Sequence, residues 1–269
     1  MKKGWDRMFI KNWKRMLIVA GVAAVMLTGC SLLKNEKVSP DSGISSDDYI
    51  TSIDNSDPYK EYADAIGLIE RDNYKVVHFE EETCNTDGSK CLYIQLCGVD
   101  HDNVEAGMQD VKSLIDAHNT FVEENPDYFS EDIRIRIELV EVSQYSFARF
   151  YDSPYGKEFD EKLGLSHDHK IKYLEYDPQP YAADFLNTTV KLNIPVIEMY
   201  YKSLSDTDYK DLELILNMCN DVEAVMAYCN ENNDFDYDQF TKIVSEKQPS
   251  TAIYKMSYNG SEYEIEKIN

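Results

Sequence analysis

The chain has 269 residues, of which 50 are acidic and 27 are basic, so its formal net charge is −23 at pH 7. Proteins that bind a nucleic-acid backbone need clustered lysine and arginine residues, and this composition therefore argues against a nucleic-acid partner. Such an excess of acid is typical instead of a solvated surface that attracts cations or basic partners.

The N-terminus has the layout of a secretory signal peptide. Residues 1–15 carry six lysine and arginine side chains against one acid, and an apolar run of 12 residues from Met16 to Leu27 follows. As a helix this run extends about 18 Å, which is short of the roughly 30 Å of bilayer hydrocarbon. The run therefore indicates an export signal and not a membrane-spanning helix.

The residues Leu27-Thr28-Gly29-Cys30 close this run and resemble the lipobox of bacterial lipoproteins. The resemblance implies that a signal peptidase removes residues 1–29 and that the Cys30 thiol carries a diacylglyceryl group. The mature protein would then be held at the bacterial cell membrane by this lipid and would face outside the cytoplasm. Two acyl chains anchor a protein durably, since each buried methylene contributes about 0.8 kcal/mol.

The mature chain has 49 acidic and 21 basic residues, which is a net charge of −28. Residues 31–57 are rich in Ser, Asp and Asn and have little apolar periodicity, so residues 30–57 are predicted to be a lipidated N-terminus and a flexible tether. No Pro/Gly-rich break divides the remainder, and residues 58–269 are therefore predicted to form a single globular domain.

The first half of this domain has clear secondary-structure signals. An amphipathic pattern predicts two helices, and β-rich runs around the Asp87-Gly88 pair predict a hairpin. The run IRIRIELVEV alternates as a strand does. The predicted elements are a helix at Tyr59–Arg71, strands at Tyr74–Thr83 and Cys91–Val99, a helix at Asn103–Glu124 and a strand at 133–142.

Three apolar residues recur at offsets 0, 3 and 5 in the second half, in copies that start at Ile137, Ile171, Ile194, Val222 and Ile253. Tyr181, Tyr209 and Tyr237 open helical stretches between the later copies. Alternating strands and helices favour a parallel sheet. The predicted fold class is therefore α/β: an N-terminal helix and a β-hairpin, followed by successive βα units on a largely parallel sheet. The alternative is α+β.

The recurring pattern is also similar to the L-x-x-L-x-L-x-x-N signature of leucine-rich repeats, with its best unit at residues 194–219. Only Asn230 places an asparagine at the ninth position, and the copies are 23 to 34 residues apart. The resemblance implies strands that line a binding face.

Residues 230–240 resemble the end of an EF-hand calcium loop. In that alignment Tyr228 stands at the first ligand position and Gln239 stands where a bidentate Glu belongs. The preferred interpretation is an acidic loop at the start of a helix, with Asp236 or Asp238 near the helix N-terminus. Whether the loop binds calcium stays open.

The pair His167 and His169 is a second candidate for a metal site. Zinc needs three or four converging ligands, and the spacing supplies no others. A surface loop with two histidines is therefore preferred, and no metal site is predicted.

Five cysteines follow Cys30. Cys84 and Cys91 flank the predicted hairpin turn, so a cross-strand disulfide between them is one interpretation in an exported protein. Cys219 and Cys229 form a second conceivable pair, and Cys97 is left as a small buried residue. The spacing does not decide which pairs form.

Catalytic signatures are missing from the sequence, which has no G-x-S-x-G elbow, no G-x-G-x-x-G loop and no Walker loop. No catalytic residue and no cofactor are predicted. The preferred hypothesis is a membrane-anchored extracytoplasmic module that binds a protein or small-molecule ligand of unknown identity. One alternative is a tethered hydrolase of cell-wall or extracellular polymer, and the other is a transporter-associated solute-binding protein. Ligand and oligomeric state are not determined by the sequence.

Overall fold

A computed structural model of the chain describes residues 48–83, 89–98, 103–140, 146–176, 183–201, 209–229, 236–258 and 263–269. The predictions for the signal peptide, for lipidation of Cys30 and for most of the tether lie outside these residues.

The described strands form one nine-stranded sheet, in which they lie side by side in chain order. The strand bounds are β1 Tyr74–Thr83, β2 Lys90–Gly98, β3 Ile133–Val140, β4 Ser146–Tyr151, β5 Tyr173–Tyr176, β6 Val196–Tyr201, β7 Ala224–Cys229, β8 Ala252–Tyr258 and β9 Tyr263–Lys267. Pairing is parallel between β2 and β3 and along β5, β6, β7 and β8, and it is antiparallel at the other four junctions.

This mixed sheet shows that the predicted α/β fold, with successive βα units on a largely parallel sheet, is wrong. β4 runs antiparallel to both of its neighbours, β3 and β5, and β9 turns back against β8. Only residues 141–145 join β3 to β4, whereas a parallel pair needs a crossover of about a dozen residues or more. The alternative class, α+β, agrees in part with the structure.

One layer of helices covers one face of the sheet. The described helices are α1 Lys60–Ala65, α2 Val104–Glu124, α3 Lys157–Lys162, α4 Ala183–Leu186, α5 Tyr209–Met218 and α6 Tyr237–Lys247. All except α3 share the main hydrophobic core with the sheet, and α3 packs on the opposite face, which we call the second face. Among these described helices, none has both the length and the apolar character that crossing a membrane requires.

The residues of β3 explain how the two faces differ. Ile133, Ile135 and Ile137 point into the core beneath the helices, while Arg136 and Glu138 lie on the second face. This alternation follows from the two-residue period of a strand. The central strands therefore offer an apolar side to the helices and a partly polar side to the second face.

The hairpin and the long helix are confirmed. β1 and β2 pair antiparallel, and α2 begins after Asn103, whose side chain accepts a hydrogen bond from the Ala106 amide at 3.4 Å. The first helix is shorter than predicted and ends at Ala65. Gly67 follows with φ 60°, the left-handed conformation at which helices commonly end.

The recurring apolar pattern was partly misread. α5 and α6 begin at Tyr209 and Tyr237, as predicted. In β8, however, Ile253 faces the helices while Met256 belongs to the hydrophobic cluster of the second face. Ile253 already lies inside the strand, so an offset of three residues moves to the other face.

Candidate functional site

A row of polar side chains crosses the second face of the sheet from β2 to β6. The register of neighbouring strands aligns one residue from each strand, so that the row lies perpendicular to the strands. Met226 on β7 and Tyr254 on β8 continue the same line. We call this set the polar row; its members are Gln95, Glu138, Arg149, Glu175 and Glu198.

Two arginines hold two of the three carboxylates. Arg149 binds two carboxylates: its Nη1 lies 2.6 Å from Glu175 Oε1, and its Nε lies 3.2 Å from Glu138 Oε2. Arg136 contacts the same Oε2 atom of Glu138. The hydroxyl of Tyr151 donates to the other oxygen of Glu175 at 2.9 Å. The four charged side chains are at most 16% exposed. Ion pairing, and not water, therefore balances these charges.

Glu198 is the third carboxylate, and its environment is different. Its side chain is completely buried, and Tyr155 donates a hydrogen bond to its Oε1 atom. The other oxygen, Oε2, is buried without a hydrogen-bond partner, and none of the described basic side chains forms an ion pair with this carboxyl. A buried polar atom that is left unsatisfied costs about 1–3 kcal/mol, so this atom calls for an explanation.

This environment changes the acidity of Glu198. Burial, followed by repulsion from Glu175, raises the pKa of Glu198 from 4.5 to about 8, although the tyrosine hydroxyls act in the opposite direction. Burial also raises the pKa of Tyr200 well above its ordinary value. The Glu198 carboxyl is therefore largely protonated at neutral pH and can lose its proton in response to a nearby positive charge.

Aromatic rings surround this carboxyl. The hydroxyl of Tyr200 lies 2.5 Å from that of Tyr155, which also hydrogen-bonds Glu198, so the two tyrosines and the carboxyl form one hydrogen-bonded group. The rings of Tyr200 and Tyr228 lie 5.2 Å apart, and Tyr155 packs against Phe159 at 4.4 Å. Tyr155, Tyr200 and Tyr228 are each half-buried.

Tyr155 comes from the connection between β4 and β5, residues 152–172, which folds over part of the second face. A buried carboxylate, Asp160, holds this connection in place. Asp160 Oδ1 accepts hydrogen bonds from Ser153 at 2.9 Å and Tyr173 at 2.6 Å, and its Oδ2 lies 2.8 Å from His167 Nδ1. Ser153 Oγ in turn accepts from the Gly156 amide at 2.9 Å, which fixes the backbone beside Tyr155.

A second Asp–His pair fastens the end of this connection. Asp152 Oδ2 lies 2.9 Å from His169 Nδ1, and Asp152 Oδ1 accepts from the Ile135 amide at 2.8 Å. The carbonyl of His169 accepts a hydrogen bond from His118 on α2 at 2.7 Å. Both histidine side chains of the 167–169 segment are at most 8% exposed. The segment is a loop, as predicted, and Asp168 within it is exposed, but the expected surface position is wrong for the two imidazoles, because two buried carboxylates bind them inside the protein.

The cysteine and acidic-loop predictions are only partly covered by the structure. Cys91 and Cys219 form no disulfide with another described residue, and Cys84 lies outside the described residues, so the pairing of Cys84 with Cys91 stays a prediction. Cys219 lies at the opposite end of β7 from Cys229. Asp236 caps α6 by accepting from the Gln239 amide at 2.9 Å, which confirms an acidic residue at that helix start. Residues 230–235 lie outside the described part.

The sequence did not single out Glu198, Tyr155 or the polar row. A signal was present, because Glu175 and Glu198 occupy the same place, offset 4, in two consecutive copies of the apolar pattern. An acid at that place points to the second face, opposite the apolar residues at offsets 3 and 5. Tyr155 gave no signal, since its role depends on how the 152–172 connection folds.

The arrangement can hold a polar ligand group. In the described part of the chain, no set of three or more His, Cys, Asp or Glu side chains is placed to hold a metal ion. No family model matches the chain, and neither a curated protein nor a solved structure matches it.

Proposed function

We propose that the protein is an extracytoplasmic bacterial lipoprotein, anchored to the cell membrane by lipid on Cys30, whose domain is a non-catalytic binding module. The lipobox residues Leu27 to Cys30 support the anchor. The tether predicted over residues 30–57 separates the domain from the bilayer surface, where the domain can reach a ligand. The end of this range lies on the domain, because the Ile50 amide donates to the Val76 carbonyl at 2.8 Å.

The observation that carries the binding function is the unsatisfied Oε2 atom of Glu198. Buried polar atoms are nearly always paired, and an unpaired one at the border of aromatic side chains is typical of a site that a ligand completes. Tyr155, Tyr200 and Tyr228 supply ring faces and hydroxyls around it. The second face of the sheet is therefore the proposed binding surface.

A tethered hydrolase is the second candidate, and one observation favours it. Glu175 and Glu198 are neighbouring carboxyl groups in different environments, as a general acid and its partner are. Against this, Glu175 uses one oxygen on Arg149 and the other on Tyr151. A nucleophile or base needs an available oxygen, so the binding module is preferred.

The anchor is tested by the Cys30→Ala variant. After fractionation of the cells that produce it, the wild-type chain is expected in the membrane pellet and the variant in the soluble extracytoplasmic fraction, with the same folded domain by circular dichroism. A variant that stays with the membrane to the same extent as the wild type would overturn the lipoprotein proposal.

The binding function is tested by thermal-shift measurements on the full-length chain in detergent, with panels of cationic, neutral and anionic small molecules. A ligand of the native state raises the unfolding temperature. At least one class is expected to stabilise the wild type and to lose its effect in Glu198→Gln, but not in the control Glu246→Gln. Glu246 is an exposed acid on α6, in the helix layer. If no panel stabilises the chain, the binding module is the wrong proposal.

A further inference from the structure

We infer that the site around Glu198 binds a primary ammonium group, which donates hydrogen bonds to the buried carboxylate and packs against the surrounding tyrosine rings. The inference rests on the proposed binding function and names the chemistry of its ligand. Free amines and lysine side chains share this group.

The first argument is the charge of the polar row. Glu138 and Glu175 are paired with Arg136 and Arg149, so the described side chains supply two cations for three carboxylates. Glu198 is the carboxylate left without a cation. A ligand with one positive charge would complete the row, because a buried charge is tolerated when it is paired and hydrogen-bonded.

The second argument is hydrogen-bond chemistry. Oε2 of Glu198 is an unused acceptor when the carboxyl is ionised, and an ammonium group has only donors. A carboxylate and an ammonium form a charge-assisted hydrogen bond, which is stronger than one between neutral groups. A quaternary ammonium lacks N–H groups and would leave Oε2 unsatisfied, so the site favours an amine that keeps its protons.

The third argument is the aromatic surroundings. The face of a tyrosine ring attracts a cation within about 6 Å of its centroid. Tyr200 and Tyr228 lie side by side on β6 and β7, and Tyr155 approaches from the covering connection. All three residues are partly exposed, so the aromatic group that borders the buried carboxyl reaches the protein surface. The overall charge of −23 also raises the local concentration of cations.

Binding is expected to be coupled to proton release. The titratable groups that face Glu198 are Glu175 and Tyr173 on β5, Tyr200 on β6, Tyr228 on β7 and Tyr155 on the connection. Burial raises the pKa of Glu198 to about 8, so an ammonium that enters at pH 7 displaces the carboxyl proton. Affinity therefore rises with pH up to about 8, levels off above it because the carboxyl is already ionised, and falls once the ligand amine deprotonates, at about pH 10.4 for a lysine-like amine.

The experiment is isothermal titration calorimetry of the full-length chain in detergent with n-butylammonium chloride, with n-butanol and tetramethylammonium chloride as matched probes. The wild type is expected to bind n-butylammonium and to bind both other probes at least about tenfold more weakly. Glu198→Gln should lose at least about tenfold in affinity, while Glu246→Gln should not change it. When the titration is repeated at pH 7 in buffers of different ionisation enthalpy, the change in the measured binding enthalpy should correspond to release of close to one proton per bound ligand.

Some results would overturn the inference. Equal binding of n-butylammonium and n-butanol would mean that the site recognises the alkyl chain only, and binding without proton release at pH 7 would mean that Glu198 is not the acceptor. If n-butylammonium does not bind but a neutral or anionic probe stabilises the wild type and not Glu198→Gln, the ammonium inference fails while the binding module stands. The number of protons released is measured on the wild type alone, so the inference can still be tested if Glu198→Gln folds poorly. An Nα-acetyl-lysine amide titration then tells whether a lysine side chain fits as a free amine does.

Discussion

Glu175 and Glu198 lie opposite each other where β5 and β6 pair, yet within the described part of the chain an arginine binds only Glu175. Two like charges side by side in a buried setting cannot both be ionised without a counter-charge. Arg149 stabilises the charge on Glu175, whereas burial, followed by repulsion from Glu175, keeps the proton on Glu198. The pair therefore links the ion network of β3, β4 and β5 to the aromatic site on β6 and β7.

Glu198 is expected to make stability depend on pH. Its pKa in the folded protein, about 8, lies above its ordinary value of 4.5, so the folded state holds the proton more tightly than the unfolded state. The stabilisation is fully present below pH 4.5 and is lost as pH rises through 8. Within this window the free energy of unfolding should fall by up to about 1.4 kcal/mol for each pH unit.

The matched variant for this effect is Glu198→Gln, which keeps the shape of the side chain and removes the ionisation. In urea denaturation at several pH values, the wild type should lose stability relative to the variant as pH rises from 5 to 8.5. A constant difference between the two chains over that range would mean that Glu198 has the same pKa in the folded and unfolded states.

Arg149 is expected to be a strong stabiliser of the polar row. Arg149→Met removes the only arginine that contacts Glu175 among the described residues and one of two that contact Glu138. Breaking a buried ion pair from one side costs about 3–5 kcal/mol, because a charge is left unpaired. The loss should appear as a lower midpoint of urea denaturation.

The double variant Arg149→Met/Glu175→Gln separates the unpaired charge from the lost packing. It should be more stable than Arg149→Met alone, since the side chain opposite the missing guanidinium is then neutral. A double variant no more stable than the single one would show that the unpaired charge of Glu175 is not the source of the loss in Arg149→Met.

The sequence predicted local elements better than their arrangement. The alternation of IRIRIELV and the apolar stripe of α2 depend on neighbours along the chain, so both elements were found. The antiparallel course of β4 and the fold of the 152–172 connection depend on long-range contacts such as Asp152 with His169. Glu198 was missed for the same reason, because its burial comes from a tyrosine that lies 43 residues earlier in the chain.

A hydrogen bond between α1 and α2 should stabilise the helix layer. Tyr62 Oη lies 2.8 Å from His118 Nδ1, and both side chains are completely buried. Burial lowers the pKa of His118 to about 4, so the ring is neutral and its Nδ1 accepts from the hydroxyl while Nε2 donates to the His169 carbonyl. Tyr62→Phe leaves that acceptor unsatisfied and should cost about 1–3 kcal/mol.

The control for this prediction is Tyr128→Phe, which removes a long, exposed hydrogen bond of 3.3 Å to the Pro58 carbonyl. It should change the free energy of unfolding by less than about 0.5 kcal/mol. If the two variants lost equal stability, the buried contact with His118 would have no special weight.

Gly107 is expected to be required by the packing of α2 against β1. A methyl group at this position would lie 2.7 Å from Tyr74 Oη and 2.8 Å from Tyr74 Cζ, closer than atoms can approach, and the Tyr74 ring is itself buried. Helix propensity alone favours alanine over glycine by about 1 kcal/mol. Gly107→Ala should nevertheless destabilise the protein by about 1–3 kcal/mol, because the ring has to move within a packed core.

A thermodynamic cycle with Tyr74→Leu decides between packing and propensity. Once the ring is gone, adding Gly107→Ala should be neutral or stabilising, so that its effect changes sign. The effect of Gly107→Ala is measured by urea denaturation in the wild type and in Tyr74→Leu. Ser113→Ala, on the exposed side of the same helix, serves as the control for helix propensity alone. If Gly107→Ala stabilised the wild type as much as Ser113→Ala does, the close approach of Tyr74 to α2 would be contradicted.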